Sequence, residues 1–463
     1  MTASAERAPV LPEGSALGWI KERLFRNVWS GAVTVVLIPV LIYVGYRAFV
    51  FIFINGQWDA VSRNLTNFIM GRYPRDQTWR LVAQMMVLAL AFGAGAGTGS
   101  GTARDKAEEA GLVYVPPTLA GTLRRFWSLI AFVLVLLVMA GSTGPWLVAG
   151  AAVVLGYVGW QSWRLPRSLR MLSWLATALL LLAGFQVVSG TDGMAWLPVA
   201  LAVAFAVWLV VPVERLQAVM RPVVSLVASL AAAAVVFGVY QVIAFPGIGW
   251  DQWSGMHLTL WWSAIVSALA FPVGLLLALA RRSNLPALRY LATTYIELIR
   301  GVPLITLLFM GQFILGFMLP AGTNLSSISR SIAAGTLFTA AYLAEIVRGG
   351  LQSLPPGQAE AGQALGMAPT TIMRKIVLPQ ALRAVIPAMV GQFISLFKDS
   401  SLLFIINVTE FLSVRGIVHA QPDFRVIAHA ETLVFVAVGY WAFAFAMSRE
   451  SQRLERRLGI GER

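Results

Sequence analysis

Along the chain, hydrophobic positions gather into uninterrupted blocks near twenty residues, with the polar positions between them as short punctuation. A helix rises about 1.5 Å per residue and the hydrocarbon core of a bilayer is about 30 Å thick, so each block has the length of one membrane crossing. The pattern predicts an all-α, polytopic membrane helix bundle of about twelve transmembrane helices, near residues 31–54, 81–97, 126–141, 146–163, 172–190, 195–213, 222–245, 257–280, 301–320, 330–349, 385–407 and 429–447. About thirty mostly polar residues precede the first block. That block, Gly31 to Ile54, is longer than the apolar stretch of a cleavable signal peptide and is expected to remain as a span.

The charges provide an internal check. With a cytoplasmic N-terminus, the inner segments are 1–30, 98–125, 164–171, 214–221, 281–300, 350–384 and 448–463. They hold 25 of the 35 Lys and Arg, the outer segments hold 6, and Arg47, Arg330, Arg348 and Lys398 fall within spans. That excess obeys the positive-inside rule, and one span more or fewer would scramble it. Both termini are therefore expected in the cytoplasm. The chain divides into a cytoplasmic segment 1–30, an N-terminal transmembrane extension 31–245, a core 246–447 and a cytoplasmic tail 448–463. The outer segment Asn55 to Arg80 is the exception, with four of the six outer positives together with Trp58, Trp79 and the run Gly71-Arg72-Tyr73-Pro74. A plain loop and an interfacial helix both fit it, and the Trp residues read as headgroup-level anchors.

Composition narrows the chemistry. With 58% hydrophobic and 12% charged residues the chain suits lipid, and its formal charge of +14 sits between apolar blocks and not on one basic surface, which argues against nucleic acid. There is no Cys, and His257, His419 and His429 are scattered, so a thiol nucleophile is excluded and a metal site is disfavoured. No paired carboxylates and no Ser/His/Asp set suggest catalysis. The run Gly93-Ala94-Gly95-Ala96-Gly97-Thr98-Gly99-Ser100-Gly101 resembles a phosphate cradle only superficially, because none of the four Lys follows a Gly. It is read as a flexible helix exit.

The loop 353–384 carries more information. Pro356 can open a short helix, and Gly366 can end it in a left-handed cap. Thr370 or Thr371 can cap a second short helix, which Pro379 would close. Two short helices joined at a glycine turn make a rigid protrusion. Its residues Glu360-Ala361-Gly362, then Gly366, then Ile376-Val377-Leu378-Pro379 resemble the EAA loop of ABC importer permeases, with Gly362 where that pattern usually has a second Ala. Other segments are similar to signatures of polar amino acid uptake permeases: Gly255-Met256-His257-Leu258-Thr259-Leu260, Tyr295-Ile296-Glu297-Leu298-Ile299-Arg300-Gly301-Val302-Pro303-Leu304, Ala341 to Gly350, and Phe397-Lys398-Asp399-Ser400-Ser401-Leu402. The resemblance covers roughly residues 250 to 450. Trp58 and the run from Gly71 to Pro74 are similar, more weakly, to extended permeases of broad-specificity L-amino acid importers.

The resemblance implies a type I importer-like permease subunit of the bacterial inner membrane. Such a subunit passes L-amino acids inward by alternating access, is driven by two copies of a separate ATPase, is fed by a periplasmic amino acid binding protein and is paired with a second permease subunit. Glu360, Ala361, Gly362, Gly366, Ile376, Leu378 and Pro379 would serve ATPase coupling, with Glu360, Ala361 and Gly366 in contact. No cofactor is expected on this chain, ATP and Mg belonging to the ATPase. Lys398 and Asp399, with Ser400 and Ser401 beside them, are expected well inside span eleven, either lining a polar translocation path or tied to other helices as a structural pair. Glu345 and Arg348 are spaced to bond on one helix face, Glu297 and Arg300 repeat that spacing, and the four can form an inner gate. Arg47 reads as a snorkelling residue. The rival readings are a stand-alone secondary carrier, which predicts ion-coupled uptake by the chain alone, and an intramembrane enzyme, to which His257 and His429 near helix starts lend little.

Overall fold

The computed structural model describes residues 23–116, 118–139, 144–164, 252–318 and 325–458, with Ile20 and Ile248 besides. The expected spans at 172–190, 195–213 and 222–245 lie outside the described residues. Among the described residues five helices are long and apolar enough to cross a bilayer, or six if one bent pair forms a single span.

In the extension, helix α1 (Val28–Val50) opens on a capping box in which Asn27 accepts the Ser30 amide, and it continues through a π-turn over Phe51–Asn55. Its most apolar stretch buries nothing against the rest of the chain, as expected of a helix surrounded by lipid. Arg47 lies exposed in its last turn. Two short helices follow, α2 (Asp59–Ser62) and α3 (Leu65–Met70), then α4 (Trp79–Glu109), α5 (Leu119–Met139) and α6 (Pro145–Trp160).

Helix α4 corrects the reading of the glycine run as a flexible exit. The helix passes straight through the run and uses it to approach α6. A Cβ added to Gly93 would lie 2.8 Å from the Gly156 carbonyl carbon, and one on Gly159 would lie 2.8 Å from the Ala94 amide nitrogen. Small residues at that spacing let two backbones meet closely, and dispersion then replaces lipid contact along the seam.

The core consists of α7 (Gly255–Arg281), α8 (Pro286–Gly301), α9 (Leu304–Met318), α10 (Ser327–Gln352), a loop with two short helices, α11 (Gly357–Ala364) and α12 (Pro369–Ile372), then α13 (Leu378–Asp399), the short α14 (Val414–His419) and, last among the described residues, α15 (His429–Leu458). Helices α8 and α9 meet at 105°, where Val302 and Pro303 break the helix. Helix α10 is long enough to span yet falls short of the other spans in apolar character. Much of it is covered by other helices, with Ala340, Ala341, Leu343 and Ala344 fully buried, so it needs little lipid-facing surface. The glycine of α7 that faces it, Gly274, would put a Cβ 2.8 Å from the Ala340 carbonyl oxygen.

Within the segment Asn55 to Arg80, for which loop and interfacial helix both fitted the sequence, residues 56–74 fold onto one end of this core. Phe68 is fully buried, with its ring centroid 4.8 Å from Phe435 and 6.0 Å from Phe411. The Gln57 amide donates to Glu431 Oε1 at 2.9 Å, and Gln421 Nε2 donates to Asn64 Oδ1 at 2.7 Å. Gly255, at φ +68°, leaves no room for a side chain beside the Phe68 and Ile69 carbonyls. The cap therefore closes over the starts of α7 and α15, at the end of the bundle opposite the loop between α10 and α13.

Candidate functional site

The loop between α10 and α13 builds its projection from short-range forces. Helix α11 (Gly357–Ala364) follows Pro356 and ends where Gly366 adopts φ +70°. There the Gly366 amide donates to the Gln363 carbonyl at 2.9 Å and the Met367 amide to the Gly362 carbonyl at 3.1 Å. These two bonds form a Schellman cap, which needs a left-handed residue and so selects glycine. Glu360, Ala361 and Leu365 face outward, Leu365 with 79% of its surface exposed. Gly362 faces inward against Ile372, where a Cβ would stand 2.9 Å from Ile372 Cγ1. The usual Ala at this place therefore requires a small shift of a flexible side chain.

The second helix corrects two details read from sequence. Helix α12 (Pro369–Ile372) is capped by Ala368 with Pro369 at its first position, not by Thr370 or Thr371. Pro379 does not close it. The chain runs through a π-turn over Met373–Val377 directly into α13, where Pro379 sits in the first turn and its missing N–H costs little. Ile372 and Val377 anchor this stretch in an apolar cluster with Ala278, Ile296, Val347, Leu351 and Ala381, drawn from α7, α8, α10 and α13. Ile376 and Leu378 are half-buried at its edge and Pro379 is exposed.

A charged network borders that cluster. Glu345 accepts Arg348 Nε at 2.8 Å within α10. The carboxylate of Glu297 does not pair with Arg300, three residues on. Instead Arg281, the last residue of α7, donates through Nη2 to Glu297 Oε1 at 2.8 Å and through Nη1 to Glu345 Oε2 at 3.2 Å. Arg300 Nη1 stands 3.7 Å from the same Glu345 oxygen, and its guanidinium lies 5.6 Å from the ring centre of Tyr342. The sequence signal for Arg281 was only its place at the end of an apolar block. That it meets both carboxylates depends on how three helices converge.

At the other end of α13, Lys398 is exposed and Asp399 half-buried, in the last turn before a 3₁₀ segment over Ser400–Ile406. Among the described residues neither side chain hydrogen-bonds to another helix. Ser400 is buried and donates to the Phe397 carbonyl at 2.6 Å; Ser401 is half-buried. Beyond them lies a buried acid that sequence reasoning passed over. The carboxyl of Glu410, fully buried, receives the Leu412 amide at 2.6 Å, the Ser413 amide and hydroxyl at 2.8 and 2.7 Å, and Tyr440 Oη at 2.8 Å. Burial pushes this carboxyl above its ordinary range, and the hydrogen bonds offset part of that rise. Thr259 Oγ1 accepts the Phe411 amide at 3.1 Å, which ties the same loop to α7.

Apolar helices long enough to cross a bilayer, with an exposed two-helix projection at one end, define a helical membrane protein, and comparison with known proteins gives the family. The profile of the binding-protein-dependent transport system inner membrane component matches residues 270–460. The inner membrane amino-acid ABC transporter permease protein YhdY of Escherichia coli is 44% identical over 210 residues, which cover 45% of this chain and 57% of that protein. The glutamate/glutamine/aspartate/asparagine transport system permease protein BztC of Rhodobacter capsulatus is 38% identical over 303 residues, 62% of this chain and 68% of that protein. A crystal structure of an amino acid ABC transporter with histidines is 28% identical, covering 43% of this chain and 90% of its own, with a TM-score of 0.39. This chain belongs to the family of binding-protein-dependent inner membrane transport components, among the amino-acid ABC transporter permeases.

Proposed function

We propose that this chain is the permease subunit of an ABC importer that moves L-amino acids inward across a bacterial inner membrane, with ATP hydrolysis on a separate subunit and substrate delivered by a periplasmic binding protein. The supporting observation is the projection itself. Leu365 and Glu360 stand out from a helix whose other side is pinned through Gly362 and Ile372 to an apolar cluster shared by four helices of the core. A push on such a part moves the helices behind it, because packed interiors transmit strain and do not absorb it. The name of the Rhodobacter capsulatus relative makes acidic and amide L-amino acids the first substrates to test.

The experiment is purification from native membranes with identification of bound subunits, then ATP-driven uptake of labelled glutamate, glutamine, aspartate and asparagine in proteoliposomes. Gly366→Pro forbids φ +70° and removes an amide that caps α11, so uptake is expected to fall at least about tenfold while insertion persists. Full uptake by that variant, or uptake by this chain alone under an ion gradient, would remove the proposal.

A further inference from the structure

The geometry points to Arg281 as a positioning residue: a yoke whose guanidinium fork makes α7, α8 and α10 follow the coupling loop as one unit. This inference rests on the proposed coupling role of the loop. Arg281 ends α7 and reaches in two directions, through Nη2 to Glu297 on α8 at 2.8 Å and through Nη1 to Glu345 on α10 at 3.2 Å. A planar guanidinium presents its donors as a fixed fork, so it can bridge two carboxylates on separate helices where an ammonium serves one at a time.

The place of this bridge gives it its consequence. Glu345 lies two residues before Val347, Glu297 follows Ile296 directly, and Arg281 lies three residues after Ala278. Those three apolar residues belong to the cluster that holds Ile372 and Val377 of the loop. The ionic bridge thus rims the apolar seat of the loop. Among the core helices it joins, α8 has the most to gain. It meets α9 at 105° across Val302 and Pro303, and a side chain that fixes α8 to its neighbours makes that bend follow the loop. Glu345 is shared with Arg348 and approached by Arg300, so it remains charge-balanced without Arg281, whereas Glu297 has no other ion pair within 4 Å among the described residues. All five side chains keep partial exposure, between 22% and 56%. Wet ion pairs of this kind contribute little to fold stability, so removing one is expected to change coordination of the helices far more than folding.

The test uses the whole complex, this chain with its co-purified ATPase and permease partners, in proteoliposomes with the binding protein supplied. Uptake of the labelled glutamate, glutamine, aspartate and asparagine mixture and ATP hydrolysis are measured together. Wild-type uptake driven by ATP establishes the reading on which the inference rests, and its absence would sink that reading before any variant is considered. Given wild-type activity, Arg281→Gln is expected to lower the uptake obtained per ATP at least about tenfold, with co-purification and melting temperature unchanged; Arg281→Lys, which keeps the charge and loses the fork, is expected to lower it about two- to fourfold. An unchanged ratio in Arg281→Gln overturns the inference. So does a parallel fall of uptake and hydrolysis with loss of assembly, which marks a purely structural role. If Arg281→Gln does not assemble but Arg281→Lys does, the Lys variant decides: a lowered ratio supports the yoke and an unchanged one overturns it.

Discussion

The hydroxyl of Ser254 donates to the Met70 carbonyl oxygen at 3.0 Å and accepts the Arg72 amide, so one buried side chain at the start of the core bonds both sides of a glycine turn in the extension. Gly71 makes that turn at φ +52°, and a Cβ there would stand 2.7 Å from Ser254 Cβ. The extension is therefore joined to the core at a defined interlock and not only through lipid.

Ser254→Ala removes both bonds and leaves a buried carbonyl and a backbone amide to find other partners. A loss of about 1–3 kcal/mol is expected. Thermal unfolding of the purified complex, followed by light scattering, checks it; Gly71→Ala, which adds a steric conflict and a strained φ, should melt lower still. No shift in either variant would mean that the cap does not sit on the core.

The seam between α4 and α6 makes a contrast within one glycine run. Gly93→Leu and Gly159→Leu place side chains where the opposing backbone already lies, and overpacking of that kind costs about 1–3 kcal/mol or more. Gly99 has nothing within 4 Å of its missing Cβ, so Gly99→Ala should be neutral or should stabilise the helix by up to about 1 kcal/mol. Limited proteolysis of the three variants separates them, and equal sensitivity would contradict the seam.

At the loop between α10 and α13, Gly362→Ala asks only that the Ile372 side chain shift slightly, and uptake should stay within about twofold of wild type. Gly362→Leu cannot be accommodated without driving α11 away from its seat, and uptake should drop at least about tenfold by the same overpacking argument. Parallel uptake assays in proteoliposomes decide, and a Leu variant with normal transport would show that α11 need not rest on α12.

Glu410 gives a pH dependence with a definite sign. Its carboxyl titrates above the ordinary range in the folded protein, so between the unfolded and folded values the native state holds more protons than the unfolded one. Stability from this group is complete below the unfolded value and is lost as pH rises through the folded one. Melting temperatures measured from pH 4 upward should therefore decline more steeply in wild type than in Glu410→Gln, which cannot ionise. Parallel curves would show that the group does not titrate in this way.

Much of the architecture was legible in the sequence because lipid imposes a one-dimensional constraint. Every backbone group in a bilayer must be satisfied within its own helix, so a span shows itself as a block of apolar residues, and the blocks at 257–280 and 429–447 fall within α7 and α15. The glycine turn between α11 and α12 was equally readable, since a left-handed cap is a local demand that Gly366 meets on its own. Contacts between distant segments left no such trace. The spacing of Glu297 and Arg300 repeated that of a bonded pair, but the fold gave Glu297 to Arg281; the glycine run read as a helix exit, but α6 occupies that face; and Glu410, one acid in a loop, became buried only when α7 and α15 enclosed it. Periodicity and turn chemistry act over a few residues and are written in order along the chain, whereas the partner of a charge or the neighbour of a glycine depends on which helices converge, and only the tertiary structure decides that.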